Sequence, residues 1–101
     1  MDIDEIKIYL QLNKIQWTAH VLARMTLRHI MPSQIIDALA HGKIIEDYPT
    51  DYPYPSCLVL GYDMSHKPIH VVCGIGQNKL WIITAYFPNP LEWNSDFTER
   101  K

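Results

Sequence analysis

The sequence predicts an α+β fold, with helices in the first part of the chain and strands in the second. Up to about Gly42, apolar residues recur at three- to four-residue steps, which is typical of amphipathic helices. After Gly42, short apolar runs alternate with proline, glycine and asparagine, which is typical of strands and turns. Because the helices precede the strands, we expect N-terminal helices packed on one face of a four-stranded antiparallel sheet.

Three helices are predicted in the first part of the chain. Asp2 is the candidate N-cap of the first helix, which ends near Asn13. The second helix covers Thr18 to Leu27, with Thr18 as its N-cap. The third helix opens at Pro32 and runs to Ala40, and Gly42 stands in the usual position for a stop. The apolar face of the first helix consists of Ile3, Ile6, Tyr9 and Leu10.

Four strands are predicted in the second part of the chain. The prolines in the segment 49–55 remove backbone donors, so this segment is expected to be a loop. Tight turns are expected at 63–67 and 76–79, and Pro88 stops the last strand. The polar residues 93–101 are expected to form a short, frayed helix. The predicted strands are Lys43–Tyr48, Cys57–Tyr62, Ile69–Ile75 and Leu80–Tyr86.

Composition bounds the classes of function that the chain can have. Its 101 residues, 48% hydrophobic and 20% charged, predict a single globular domain over residues 1–101. A formal net charge of −2 excludes a protein that coats nucleic acid through net charge alone, but it leaves room for a local basic site. The acidic start and the lack of a long apolar run predict a cytoplasmic protein without a membrane partner. Cys57 and Cys73, which have apolar neighbours, are expected to be buried free thiols.

One face of the predicted second helix carries three side chains suited to an anion. His20, Arg24 and Arg28 stand four residues apart and therefore project from one side of a helix; we call them the cationic stripe. The arginine fork matches phosphate, and histidine changes its charge near neutral pH. The stripe is either a compact anion site or an ordinary solvated helix face.

A second polar group is expected on the sheet. His70 shares a strand face with Val72, and Thr84 shares one with Tyr86. Hairpin pairing of the last two strands brings His70 near Thr84 or Tyr86 if the register sets them opposite one another. The alternatives are a hydrogen-bonded histidine at a sheet edge and an amphipathic tyrosine at the edge of the core.

Metal and cofactor sites are not expected. His66 and His70 are four residues apart but lie in a turn and a strand, with no carboxylate at a familiar spacing. The segment 74–76 lacks the third glycine and the following helix of a dinucleotide-binding motif. His29 and His41 lie near helix C-termini, where they favour a capping role.

The proline-rich loop carries three tyrosines. Tyr48, Tyr52 and Tyr54 could stack on nucleobases or bind a protein partner, or the loop could fold back onto the core. The sequence pattern does not separate these alternatives.

The chain resembles a bacterial family of small uncharacterised proteins with the pattern His-Ala-x-x-Arg-Met-x-x-Arg-x-Ile. His20 through Ile30 carry this pattern, with Val21 where the family usually has alanine, and Pro32-Ser33-Gln34 follows it. Further matching segments are 42–49, 68–72 and 83–88. The residues 93–101 resemble those of members encoded beside a small zinc-finger antitoxin.

This resemblance implies a fold related to the RelE/ParE-like toxins, including the BrnT branch. Those toxins pack helices against an antiparallel sheet, and their ribonuclease branches cut mRNA without a metal. The expected function is therefore a metal-independent endoribonuclease of a type II toxin–antitoxin pair. The expected partners are RNA and a small zinc-finger antitoxin, with no DNA binding by the chain on its own.

Six residues are candidates for the expected cleavage. Such a reaction needs a base for the 2′-hydroxyl, cationic donors for the phosphate and an acid for the leaving oxygen. The candidate catalytic residues are His20, His70 and Tyr86, with the two histidines as base and acid in either order. The candidate substrate-binding residues are Arg24, Arg28 and Thr84. The alternative function is a non-catalytic protein-binding module, or an inactive orphan toxin, on the same scaffold.

Overall fold

A computed structural model describes residues 1–101 and has α+β architecture. The elements in chain order are α1 (Ile3–Gln11), β1 (Ile15–Trp17), α2 (Ala19–Arg28), α3 (Pro32–Ala40), β2 (Lys43–Tyr48), β3 (Ser56–Tyr62), β4 (Pro68–Gly76) and β5 (Lys79–Tyr86). The five strands form one sheet in the order β1-β5-β4-β3-β2, in which β1 pairs with β5 in parallel and all other pairs are antiparallel. The expected four-stranded antiparallel sheet is therefore wrong, since the sheet is five-stranded and mixed.

The unpredicted strand is β1. Its three residues are too few to show a period, and they become a strand because β5 offers them an edge. Ile15 pairs with Leu80 and Trp17 with Ile82. The left-handed conformation of Asn13, with φ 53°, turns the chain from α1 into this strand.

The helices begin at the expected caps. The Asp2 carboxylate accepts a hydrogen bond from the Asp4 amide, and the Thr18 hydroxyl oxygen accepts one from the Val21 amide. Gly42 does not take the left-handed conformation expected of a helix stop. Instead, a Cβ at Gly42 would meet the Leu60 carbonyl oxygen at 2.8 Å, so this glycine allows a close approach of two backbones. None of the helices is long and apolar enough to span a membrane.

All three helices pack on one face of the sheet, as expected. The two cysteines belong to this core as buried free thiols, and Cys57 lies directly opposite Cys73 across β3 and β4. The other face, which we call the outer face, carries His70 and its cross-strand neighbours Leu60 and Tyr86. Buried residues that contribute to the core from helices and strands include Ile6, Val21, Ile35, Leu39, Val59, Ile69, Val71, Leu80 and Ile82.

Residues 93–101, the tail, fold over part of the outer face. They form no helix, contrary to expectation; instead Trp93 and Arg100 make an isolated antiparallel bridge. Arg100 also forms an ion pair with Glu46 of β2, with 2.9 Å between Nε and Oε2. The tail therefore closes on the sheet through side chains from distant parts of the chain.

The outer edge of β5 is covered along most of its length. After β1 ends, α2 continues along the same edge, where the Thr18 hydroxyl donates to the Ile82 carbonyl at 2.8 Å. At the other end of α2, the Arg28 guanidinium donates to the Ala85 carbonyl at 2.8 Å. The two edge strands of this sheet are β1, which has three residues, and β2, which has six.

The packing of α3 on β3 generates a stability prediction at Gly61. A Cβ on this residue would overlap the backbone of Ala38, so Gly61→Ala forces α3 away from the sheet. We expect a loss of about 1–3 kcal/mol in the free energy of unfolding, the usual cost of overpacking. Urea unfolding monitored by circular dichroism measures it, with the exposed-site variant Thr50→Ala as control. An unchanged Gly61→Ala midpoint would contradict the predicted overlap.

Candidate functional site

The cationic stripe lies on the exposed side of α2. Val21 and Met25 anchor the helix in the core, which leaves the intervening positions facing away from it. His20 and Arg24 are exposed, and Arg28 is half-buried. The predicted alignment of the three side chains on a helix is thus present.

The stripe carries no ion pair. The protein forms two salt bridges, one between the Met1 amino group and Asp47 and one between Arg100 and Glu46. Two of its three arginines, Arg24 and Arg28, are therefore without a carboxylate partner although the net charge is −2. Both guanidinium charges are available to an anion from outside.

Arg28 connects the stripe to the outer face. Its guanidinium carbon lies 6.0 Å from the centre of the Tyr86 ring, within range of a cation–π contact. One N–H donates to the Ala85 carbonyl, and a guanidinium has five donors in all. The remaining donors are free of protein partners.

His70 and Tyr86 are cross-strand partners, which is one of the two pairings that the sequence left open. Nδ1 of His70 lies 3.2 Å from the Tyr86 hydroxyl, and Nε2 lies 2.9 Å from the Phe97 carbonyl oxygen. Since a carbonyl only accepts, Nε2 donates to Phe97, and the neutral ring accepts the Tyr86 proton at Nδ1. Both nitrogens of His70 are thus occupied within the protein.

The surroundings of His70 are closed to solvent. The residue is fully buried, and the Trp93 ring packs edge-on against the imidazole with 4.4 Å between ring centres. Burial lowers the pKa of His70 below its ordinary value of 6.5, against the opposing effects of Phe97 and Glu46. His70 is therefore neutral at physiological pH and has no route to a substrate proton.

The expected acid–base pairing of His20 with His70 is not formed. His20 is the second residue of α2, and eight residues at 1.5 Å each put it about 12 Å along the axis from Arg28. Arg28 is the end of the stripe that reaches Tyr86 and hence His70. His70 corresponds instead to the alternative of a hydrogen-bonded histidine, and it orients Tyr86.

Thr84 and Tyr86 lie on the outer face beside this group. Thr84 is opposite Val72, is half-buried, and makes no side-chain hydrogen bond with the protein. Tyr86 is also half-buried, and desolvation raises the pKa of its hydroxyl. Of the six candidate residues, the structure brings together Arg28, Tyr86 and His70.

The contribution of the tail had no signal in the sequence. Phe97 acts through its main-chain carbonyl, which any residue could provide. Trp93 covers His70, and its own outer side is met by the Arg100 guanidinium at 4.7 Å from the ring centre. The mostly polar residues 93–101 gave no indication in the sequence that the tail folds over His70.

Tyr48 belongs to the tail contact and not to a free aromatic loop. Arg100 binds Glu46 through two nitrogens, and the Tyr48 hydroxyl donates to the same carboxylate. The Arg100 hydrogen bond lowers the pKa of Glu46, while burial and Glu46 raise the pKa of Tyr48 to about 12. These shifts keep the carboxylate charged and the phenol neutral.

The other two tyrosines border a cleft of about 390 Å³ on the outer face. Tyr54 packs against Trp81, with 5.7 Å between ring centres, whereas Tyr52 is 92% exposed. Thus the loop both folds back onto the sheet and presents an aromatic side chain to solvent.

His29 and His41 are helix C-caps, as expected. His29 is the C-cap of α2 in the left-handed conformation, and His41 is the C-cap of α3 with its Nδ1 at 3.3 Å from the Asp37 carbonyl. No group of three or more histidine, cysteine, aspartate or glutamate side chains is arranged to hold a metal ion.

The burial of His70 generates a prediction about pH. Its pKa is lower in the folded chain than in the unfolded chain, so its contribution to stability is complete above about pH 6.5. As the pH falls below 6.5, the unfolded chain binds the proton first and stability decreases, until the folded pKa is passed. We expect a falling free energy of unfolding between pH 7.5 and 5, with a slope of at most about 1.4 kcal/mol per pH unit.

The matched variants separate His70 from other titrating groups. Urea unfolding of His70→Gln, which keeps a donor for Phe97, should lack most of this slope, whereas His41→Gln should keep it. Glu46, whose pKa is lowered, affects stability only as the pH falls through its unfolded value of 4.5. An equal slope in wild type and His70→Gln would show that His70 is not held neutral.

Comparison with known proteins identifies the family. A family model described as a domain of unknown function, DUF4258, matches residues 17–87. No curated protein and no solved structure matches the chain. The match contains the cationic stripe and the His70–Tyr86 pair but not the tail. Because the match covers more than half of its residues, the chain belongs to the DUF4258 family.

Proposed function

We propose that this chain is a toxin-like endoribonuclease of a type II toxin–antitoxin pair, and that the cationic stripe binds the phosphates of its RNA substrate. The observation that carries the proposal is the unpaired state of Arg24 and Arg28 on one exposed helix face. Ion pairing with a carboxylate would have been the simplest fate of these arginines in a chain with 11 acidic residues. Phosphate matches the planar guanidinium fork in charge and geometry.

The proposed reaction is attack of a 2′-oxygen on the adjacent phosphorus. The 2′-hydroxyl gives its proton to His20, the bond to the 5′-oxygen breaks as a 2′,3′-cyclic phosphate forms, and the leaving 5′-oxygen takes a proton from water. His20 is the group that can move a proton, since it is exposed and one helical turn, about 6 Å, from Arg24. Arg24 binds the negatively charged oxygens of the phosphate, which lies between Arg24 and His20.

Arg28 and Tyr86 contact the part of the RNA that follows the phosphate held by Arg24. The Arg28 guanidinium donates one hydrogen bond to the Ala85 carbonyl and keeps its other donors free. Beside it, the Tyr86 hydroxyl is oriented by its hydrogen bond to His70. Thr84 offers an uncommitted hydroxyl on the same face. In this proposal His70 is a positioning residue and leaves proton transfer to His20.

A RelE/ParE-like fold and a cytoplasmic location are part of the proposal. Helices on one face of a sheet support the first, together with the sequence resemblance. The proposed antitoxin is a small zinc-finger protein, and the edge proposed for its main chain is β2, which at six residues is the longer of the two edge strands.

A second candidate function is a non-catalytic protein-binding module, or an inactive toxin, on this scaffold. The observation in its favour is that His70 is buried with both nitrogens bonded, which leaves one histidine at the stripe. In that case the stripe would pair with carboxylates of a partner protein.

Cleavage of RNA by purified protein tests the leading proposal. We expect cleavage of single-stranded RNA in EDTA, with 2′,3′-cyclic phosphate ends, and growth arrest on induced expression. Arg24→Ala and His20→Ala should each lower the cleavage rate about 10²–10³-fold, because each removes a group that acts in the transition state. The exposed residues Lys43 and His41 provide the control variants Lys43→Ala and His41→Ala.

Two results would contradict the proposed endoribonuclease activity. One is the absence of both cleavage and growth arrest for wild type, and the other is equal cleavage by wild type and Arg24→Ala. Retained affinity for RNA without cleavage would instead favour the inactive toxin.

The position of the partner is tested by hydrogen–deuterium exchange. In a complex with the proposed zinc-finger protein, amide exchange should slow over Lys43–Tyr48, because a partner strand would pair with this edge strand. Unchanged exchange in β2 with slowing elsewhere would contradict the edge site.

A further inference from the structure

The aromatic cleft on the outer face is lined by none of the six candidate residues for RNA cleavage. It is farther along β4 and β5 from the tail, where Gly74 faces Trp81 across the two strands. Its volume is about 390 Å³, which is within the usual range for small-molecule sites of about 300–1,000 Å³. Its main lining residues are Thr18, Asp51, Tyr52, Tyr54, Trp81 and Ile83.

The inner wall of the cleft is rigid. The Tyr54 ring lies directly over Gly76, where any Cβ would overlap it. Trp81 donates its indole N–H to the Gly76 carbonyl at 2.9 Å, and its ring packs against Tyr54 at an angle of 34°. The two rings thus form one aromatic surface, in which the indole N–H of Trp81 already has its hydrogen-bond partner.

The mouth of the cleft carries one carboxylate and one exposed ring. Asp51 accepts the Ser56 hydroxyl at one oxygen, at 2.6 Å, and the Tyr52 amide at the other, at 3.1 Å. A carboxylate has about four acceptor positions, so each oxygen keeps one for a ligand. Tyr52, 92% exposed, is free to cover a planar group placed against the inner wall.

These features define the chemistry of the ligand. The lining contains no lysine, arginine or histidine, and its one charge is negative, so a phosphate or carboxylate is not a suitable occupant. Aromatic walls suit a flat ring, and a carboxylate suits two neighbouring N–H donors. Among the nucleobases, guanine presents such a pair, a ring N–H beside an amino group.

The cleft and the cationic stripe are contiguous. Thr18 lines the cleft and is also the N-cap of α2, two residues before His20. The cleft therefore adjoins the start of the helix that carries the stripe, within reach of an RNA chain bound there. This continuity favours a nucleobase over a basic side chain from a protein partner, which would suit the same carboxylate.

We propose that the aromatic cleft binds one unpaired nucleobase, guanine in preference to the others, and so sets the base preference of the RNA bound by the stripe. Stacking on Trp81 and Tyr54 holds the ring, and Asp51 accepts the two N–H groups of its Watson–Crick edge. This inference rests on the proposed function for the presence of RNA, but base binding itself needs no cleavage.

Nucleosides test the cleft without the stripe, since they carry no phosphate. In a two-dimensional NMR titration, guanosine should shift the Trp81 indole N–H signal, and the signals of Trp17 and Trp93 should stay in place. Adenosine, cytidine and uridine should bind about 10-fold more weakly. N-acetylarginine amide serves as the probe for a basic side chain.

Variants assign the binding to particular groups. Tyr52→Ala should weaken guanosine about 5- to 100-fold through lost stacking, and Asp51→Asn should remove the preference for guanosine. Tyr62→Ala, at another exposed tyrosine, is the matched control and should bind like wild type. Thermal unfolding verifies that each variant is folded, and Tyr52 is exposed enough for its truncation to be tolerated.

The outcomes distinguish this inference from the proposed function. An unmoved Trp81 signal, equal binding of all four nucleosides, or tighter binding of N-acetylarginine amide overturns the guanine site, even if RNA is cleaved. Guanosine binding that depends on Tyr52 and Asp51 supports the site, even if no RNA is cleaved. Cleavage of guanosine-containing RNA about 10-fold faster than of guanosine-free RNA, lost in Asp51→Asn, supports both.

Discussion

The outer edge of β5 determines how α2, and with it the cationic stripe, lies against the sheet. An open strand edge exposes unpaired carbonyl groups, and this edge is closed first by β1 and then by two side chains of α2. Thr18 and Arg28 fix the two ends of α2 against β5, so the helix can lie in one direction only. The cationic stripe consequently lies on a helix whose start adjoins the aromatic cleft and whose last residue, Arg28, reaches Tyr86.

His70 shows how a buried polar group organises its surroundings. A neutral imidazole in an apolar interior needs a partner for each nitrogen, because an unmade hydrogen bond there costs more than a made one gains. Tyr86 and the Phe97 carbonyl provide them, and Trp93 excludes water. The tail is thereby tied to the sheet, and the ion pair of Arg100 with Glu46 closes it from outside. This role in the fold replaces the proton transfer expected of His70.

For phosphate binding, the distribution of charged side chains over the surface matters more than the net charge of −2. Arg100 is paired in the tail contact, whereas Arg24 and Arg28 face solvent and the outer face without a carboxylate. A mildly acidic chain can therefore hold a small phosphate site, but long-range attraction to RNA would be weak and strongly reduced by salt. Stacking of a base on aromatic side chains, which needs no opposite charge, would add the affinity that such a surface lacks.

The sequence by itself determined the helices, four of the strands, the N-caps Asp2 and Thr18 and the alignment of the stripe, because these depend on local periodicity and on neighbouring residues such as Thr18 and Val21. It also limited the partner of His70 to Thr84 or Tyr86, since hairpin register is nearly local, and the register of the structure selects Tyr86. Only the tertiary structure decided that Ile15–Trp17 is a strand, that the tail buries His70, and that Tyr54 packs on Gly76. Each of these depends on partners far apart in sequence or on main-chain atoms, which leave no pattern of residue types.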